Sequence, residues 1–310
     1  MKTGLWQKII CLGLSVAVLC GCQQKEQLHK DTRAMMGTFV EVISPDERAA
    51  GIVFKEIKRI ESLLSKYDLH SEISRLNNSG ELAVSHDTIY VLRKSREFCL
   101  HSDGAFDVTV APLMDLWGFT DKKFRLPQES EIKETLKFVG DDKIIFNDEK
   151  NVVKFKLPGM RVDLGAIAKG YAVDCAVGKL KEAKITSCLI NAGGQIYALG
   201  DKFGQPWKVA VKNPRGKGLA DYLMLKDQAV ATSGDYEQYF FIKNKRYSHI
   251  FDPRTGHPTE AGVISVTVVA SDGLTADALA TAIFVLGKAK GELIVKKFPG
   301  TEVKMITTND

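Results

Sequence analysis

The run Val263-Ile264-Ser265-Val266-Thr267-Val268-Val269-Ala270 constrains the fold more than any other segment. It is rich in β-branched residues, which fit a pleated surface, and it reads as a central strand. Shorter runs of the same character lie at residues 33–43, 152–157, 187–190, 207–211, 229–232 and 240–243. Helical patterns are fewer. Ser44-Pro45-Asp46-Glu47 reads as a capping box with Pro at the first helical position, predicting a helix that starts there. Val53, Ile57, Ile60 and Leu64 would form its apolar face. A second helix is expected over about residues 87–101, stopped near Asp103-Gly104. A third follows Asp163-Leu164-Gly165, with Val173, Val177 and Leu180 on one face. A fourth covers about residues 274–286 and ends at Gly287. Strands outnumber crossover helices, so the pattern predicts an α+β fold with a largely antiparallel or mixed sheet and packed helices. One catalytic domain is expected, with two lobes meeting at a ligand cleft.

The N-terminus reads as a targeting segment. Lys2 and Lys8 precede an apolar stretch over residues 9–19 that is short for a membrane span. Leu19-Cys20-Gly21-Cys22 then places a bulky aliphatic residue three before Cys22 and a small one just before it. This is a lipoprotein pattern, which Cys20 fails because Leu19 would occupy the cleavage site. The expected organisation is therefore a signal peptide over 1–21, a polar tether over 22–31 and a catalytic domain over 32–310. Acyl chains on Cys22 would anchor the protein to a membrane.

Charge excludes one class of partner. The chain carries 43 Lys and Arg against 38 Asp and Glu, and losing Lys2 and Lys8 with the leader leaves 41 against 38. That balance, without a basic block interleaved with aromatics, argues against nucleic acid. Beyond Cys22 only Cys99, Cys175 and Cys188 remain. None has zinc-ligand or CxxC spacing; small buried hydrophobes are the reading, with a disulfide left open in an oxidising compartment.

Several polar clusters carry the chemistry. Tyr247-Ser248-His249-Ile250-Phe251-Asp252-Pro253-Arg254-Thr255-Gly256 compresses an imidazole, a carboxylate and a guanidinium into one turn. Alone it also fits a structural turn. Asp277 and Thr281 stand four apart on the fourth helix, sharing a face, and a carboxylate with a hydroxyl suits a hard cation such as Mg²⁺. The 163–170 run opens a helix whose N-terminus favours anions, with Lys169 one turn in. It lacks the dinucleotide and Walker glycine patterns. The aromatics of Gly104-Ala105-Phe106-Asp107 and Leu116-Trp117-Gly118-Phe119 fit a core at least as well as a cofactor box.

Taken together with Met36-Gly37-Thr38 and Asp277-Ala278-Leu279-Ala280-Thr281, and in this order, these clusters resemble the ApbE family of bacterial-envelope FAD:protein FMN transferases. The resemblance runs from about Thr32 to the C-terminus. It implies transfer of FMN from FAD to a Thr or Ser hydroxyl of an envelope protein, such as a subunit of a membrane redox complex, with release of AMP. It further implies that His249 acts as the base and that Asp277, Thr281 and the Ala166 carbonyl bind Mg²⁺. Met36, Tyr67, Ala105, Phe106, Asp107, Asp163, Lys169 and Phe251 would contact FAD. Asn191-Ala192-Gly193-Gly194 and Thr232-Ser233-Gly234-Asp235-Tyr236 match turns that border the family's cleft. Phe251 departs from the family's smaller aliphatic residue between the His and the Asp. Asp252 would either orient His249 or pair with Arg254. Two alternatives stand beside transfer: hydrolysis of FAD to FMN and AMP at the same site, and a non-catalytic lipoprotein that stores flavin. Asp272-Gly273-Leu274-Thr275-Ala276 loosely resembles the Asp-Gly-x-Thr-Gly-Ala-Thr sequences these enzymes modify, but lacks the continuation, so self-modification is not expected.

Overall fold

The computed structural model describes residues 27–216 and 218–308; the leader and Cys22 lie outside them. Its centre is a seven-stranded sheet in which every neighbouring pair is antiparallel. The strand order is His29–Met35, Thr38–Ser44, Cys188–Ala192, Gln195–Leu199, Gln228–Gly234, Val263–Ala270, Glu302–Thr307. Every residue of Val263–Ala270 is buried. One face of the sheet lies under the helices Ala49–Leu64, Ala168–Glu182 and Gly273–Val295. The other is covered by the hairpin Trp207–Lys212/Leu219–Leu225, whose Trp207, Val209 and Leu225 pack on Ala198, Val230 and Val269. A strand dry on both faces has no reason to alternate, which explains its unbroken apolar run. The α+β, antiparallel expectation holds, although this strand lies one place from the edge.

Two local expectations are corrected. Residues 33–43 are not one strand: Met36 (φ 51°) and Gly37 (φ 70°) form a two-residue turn between the first two strands. Both turn positions need positive φ, so a Gly preceded by a single strained residue reverses the chain. The capping box also fails. Ser44 ends a strand, where its hydroxyl donates to the Ser187 carbonyl (2.7 Å) and accepts from Asp46 N–H (3.1 Å). With that side chain spent on a turn, the helix starts only at Ala49, without a side-chain cap. Val53, Ile57, Ile60 and Leu64 are buried as the periodicity requires. The last long helix breaks at Gly287 (φ 74°, ψ 178°), where its end was expected, and a short helical continuation follows.

A smaller apolar cluster stands beside the main core. Leu113, Met114, Trp117, Phe119, Ile132, Val139, Phe240 and Phe251 form it, drawn from the helices Ala111–Leu116 and Glu129–Leu136, the hairpin Tyr239–Ile242/Lys245–Ser248 and the segments that follow them. The cleft opens between this cluster and the helical layer.

Candidate active site

A cavity of about 580 Å³ receives every catalytic, flavin-contacting and metal-site residue expected from the sequence: Met36, Tyr67, Ala105, Phe106, Asp107, Asp163, Ala166, Lys169, His249, Phe251, Asp277 and Thr281. They come from segments more than 200 residues apart, so only the fold assembles them.

One wall of the cleft is a crossing of two helices. Gly170 touches the start of the Gly273–Val295 helix so closely that a Cβ would lie 2.1 Å from the Gly273 carbonyl oxygen. This contact lets Gly170 N–H donate to Asp277 Oδ2 at 3.0 Å and brings Lys169 Nζ to 4.0 Å from Asp277 Oδ1. Asp277 is buried, and burial raises its carboxyl above the usual range even though Lys169 and the Gly170 N–H oppose the shift. Thr281 Oγ1 lies 3.1 Å from Ser233 Oγ, and Ala166 lines the same wall.

No group of three His, Cys, Asp or Glu residues that could hold a metal occurs among the described residues. A cation here would rest on one carboxylate with hydroxyl and carbonyl oxygens. An undercompensated buried carboxylate within an all-oxygen donor set fits Mg²⁺, which takes the rest of its shell from water and phosphate.

His249 stands across the cleft. Its backbone N–H and its Nδ1 both face the Gln238 carbonyl, at 3.0 and 3.2 Å. A carbonyl only accepts, so the proton sits on Nδ1 and Nε2 keeps its lone pair. Burial, resisted by the Gln238 carbonyl and aided by the nearby Lys169, lowers the imidazole to about 4. It is neutral near pH 7. Asp252 does not orient it: the carboxylate pairs with Arg254 through Nε (2.8 Å) and an η nitrogen (2.7 Å). The choice left open by the sequence falls on Arg254.

The remaining wall mixes rings with tied carboxylates. Phe251 is buried against Trp117 and Phe119, at 5.9 and 5.7 Å between ring centres, so the larger residue fills the smaller core. Phe106 is a core residue that also borders the cleft, and Tyr67 stands 68% exposed at its mouth. Asp107 accepts from Thr109 N–H (2.8 Å), Thr109 Oγ1 (2.6 Å) and Asp141 N–H (3.0 Å). Burial raises its carboxyl despite these donors. Asp163 accepts from Gly165 N–H (2.8 Å) and pairs with Lys66 at 2.7 Å. Burial works against the charge on Lys66, but Asp163 outweighs it and holds the ammonium above its ordinary value.

Several lining residues escaped the sequence reading. Glu61 accepts from Met36 N–H at 2.6 Å and so holds the first turn; it carries no motif and looks like any polar helix position. Lys66, Glu237 and Gln238 also line the cleft. Gln238 had a readable signal. Pairing outward from the Lys243-Asn244 turn sets Tyr239 opposite Ser248, which leaves Gln238 opposite His249.

A base, a cation and a buried carboxylate around one cavity make this the cleft of an enzyme rather than of a carrier. The model of the ApbE family matches residues 36–305, and the chain belongs to that family. It is similar to a Haemophilus influenzae protein named FAD:protein FMN transferase, 32% identical over 309 residues, covering 93% of this chain and 89% of that one. The Escherichia coli K12 protein of the same name is 32% identical over 312 residues, covering 93% and 88%. Among solved structures, the ApbE protein of Thermotoga maritima superposes with a TM-score of 0.85 at 37% identity, covering 91% of this chain and 95% of that one. The flavin transferase ApbE of Vibrio cholerae superposes with a TM-score of 0.81 at 29% identity, covering 91% and 94%.

Proposed function

We propose that this chain transfers FMN from FAD to a Thr or Ser hydroxyl of a protein acceptor, with Mg²⁺ bound, and releases AMP. The observation that carries this reading is the neutral His249, its Nε2 unprotonated, in the same cleft as Lys169 and Asp277. The names of the relatives agree with it. The acceptor oxygen attacks the phosphorus on the FMN side of the pyrophosphate. The bond from that phosphorus to the bridging oxygen breaks, its electron pair leaves with AMP, and the hydroxyl proton passes to His249 Nε2. An anionic pyrophosphate beside the imidazole favours its charged form, shifting it upward from about 4 as the base needs. Lys169 offsets charge on the leaving phosphate. Asp277, Thr281 and the Ala166 carbonyl would hold Mg²⁺, which when bound neutralises pyrophosphate charge. The isoalloxazine end lies toward Met36, Tyr67, Ala105, Phe106 and Phe251, with Asp163 nearer the phosphates.

The acceptor belongs to the cell envelope, a subunit of a membrane redox complex being the type, and the enzyme meets it from a lipid anchor on Cys22. The leader pattern over residues 1–21 supports this placement. Incubating the purified protein with FAD, Mg²⁺ and a candidate acceptor decides the activity. Equal yields of AMP and in-gel flavin fluorescence are expected. AMP with free FMN and a dark acceptor band would mean hydrolysis, and retained FAD without AMP would mean storage.

A further inference from the structure

The hairpin Tyr239–Ile242/Lys245–Ser248 pairs with no other strand among the described residues. Its inner face is settled: Phe240 stacks on Tyr247 across the ribbon (5.2 Å between centres) and meets Phe119 and Phe124. Its outer face is unusual. Tyr239 and Phe241 are 40% and 56% exposed, and the Arg246 guanidinium lies over both rings, 4.4 and 5.4 Å from their centres. Arg246 and Arg215 converge on the single carboxylate of Asp235, at 3.3 and 2.5 Å. Two guanidiniums against one carboxylate leave positive charge on this face.

Its place in the chain gives this face a purpose. The ribbon begins one residue after Gln238, whose carbonyl orients the base, and ends one residue before His249. Tyr239, Phe241 and Arg246 do not line the cleft, so FAD is not what they hold. Exposed aromatic rings around an arginine are the side chains that anchor protein interfaces. We infer that this face is the docking surface for the acceptor polypeptide, which lays an extended segment bearing an acidic residue across Tyr239, Arg246 and Phe241 and so presents its hydroxyl to His249. Acidic chemistry follows from the surplus positive charge, and extended shape from the flat ribbon that leads to the base. The inference rests on the transferase reading.

The test uses the full-length enzyme and a carrier protein ending in Asp-Gly-Leu-Thr-Gly-Ala-Thr. Phe241→Ser and Arg246→Glu are each expected to raise KM for the carrier by about tenfold, with FAD affinity and kcat at saturating carrier unchanged within about twofold. Replacing the carrier's Asp by Lys should raise KM with the parent and lower it with Arg246→Glu, a reversal that general damage cannot produce. Unchanged carrier KM in both variants, with the parent still labelling the carrier, would overturn the docking surface and leave the transferase standing. A parent that releases no AMP and labels no carrier overturns both. If the variants, carried on a Cys22→Ser background that removes the acyl anchor, instead lose co-sedimentation with phosphatidylglycerol vesicles at unchanged carrier KM, the face is a membrane contact and the inference falls.

Discussion

At the scale of single residues, burial shifts the titration of the groups that line the site. His249 is neutral because burial lowers its folded-state value to about 4, against about 6.5 in an unfolded chain. The unfolded state therefore binds more protons between these two values, so the stability this residue contributes is intact above pH 6.5 and drains away as pH falls toward 4. His249→Asn removes that dependence. The parent should lose melting temperature relative to the variant across this window, while transfer by the variant falls by roughly 10²–10⁴-fold with FAD affinity retained. A variant that flavinylates at the parent rate would take His249 out of the chemistry.

Asp277 is the converse case. Its carboxyl is raised by burial, so the metal-free fold disfavours the ionised form, and this penalty eases as the pH drops. Asp277→Asn should melt no lower than the metal-free parent. The parent should gain melting temperature on adding Mg²⁺, as any ligand of the native state requires, and the variant should not. An equal Mg²⁺ response in both proteins would place the cation elsewhere.

At the scale of elements, the contact between the Ala168–Glu182 helix and the start of the Gly273–Val295 helix aligns the site. Asp174 tightens it by accepting from Gly273 N–H (2.6 Å) and Leu274 N–H (2.8 Å). Gly170→Ala would drive a methyl into the Gly273 backbone, which cannot rotate away as a side chain can. Overpacking of this kind costs about 1–3 kcal/mol, measurable as a lower midpoint in urea. Because the same crossing sets Lys169 against Asp277, transfer should fall further than the loss of folded protein explains. Loss of stability alone, with full specific activity, would separate the crossing from catalysis.

At the scale of the whole molecule, the proposed envelope placement rests on the leader pattern over residues 1–21. No helix among the described residues is long and apolar enough to cross a membrane. Acyl chains on Cys22 would bind strongly, and Cys22→Ser should move the product from the detergent to the aqueous phase of a Triton X-114 separation. Unchanged partitioning would mean that the leader itself is retained. Cys99, Cys175 and Cys188 are free thiols. Burial pushes them up to about 12, 11 and 12, so they are inert packing residues near neutral pH.

Local chemistry and periodicity were legible in the amino-acid order. Val53, Ile57, Ile60 and Leu64 face the core because a 3.6-residue repeat admits no other arrangement. Asp277 and Thr281 share a helix face for the same reason, and the order of the polar clusters carried the family. Two outcomes depended on atoms distant in the chain, and a third on how a local turn closed. Ser44 looked like a helix cap until the neighbouring Ser187 carbonyl took its hydroxyl. Asp252 could have served either His249 or Arg254, and the turn that closes on Arg254 decided it. The proton on His249 is set by Gln238, which reaches it only when the ribbon closes. Periodicity is a property of neighbours along the chain, whereas the partner of a hydroxyl, a carboxylate or an imidazole is whichever donor or acceptor tertiary packing brings within 3 Å or so.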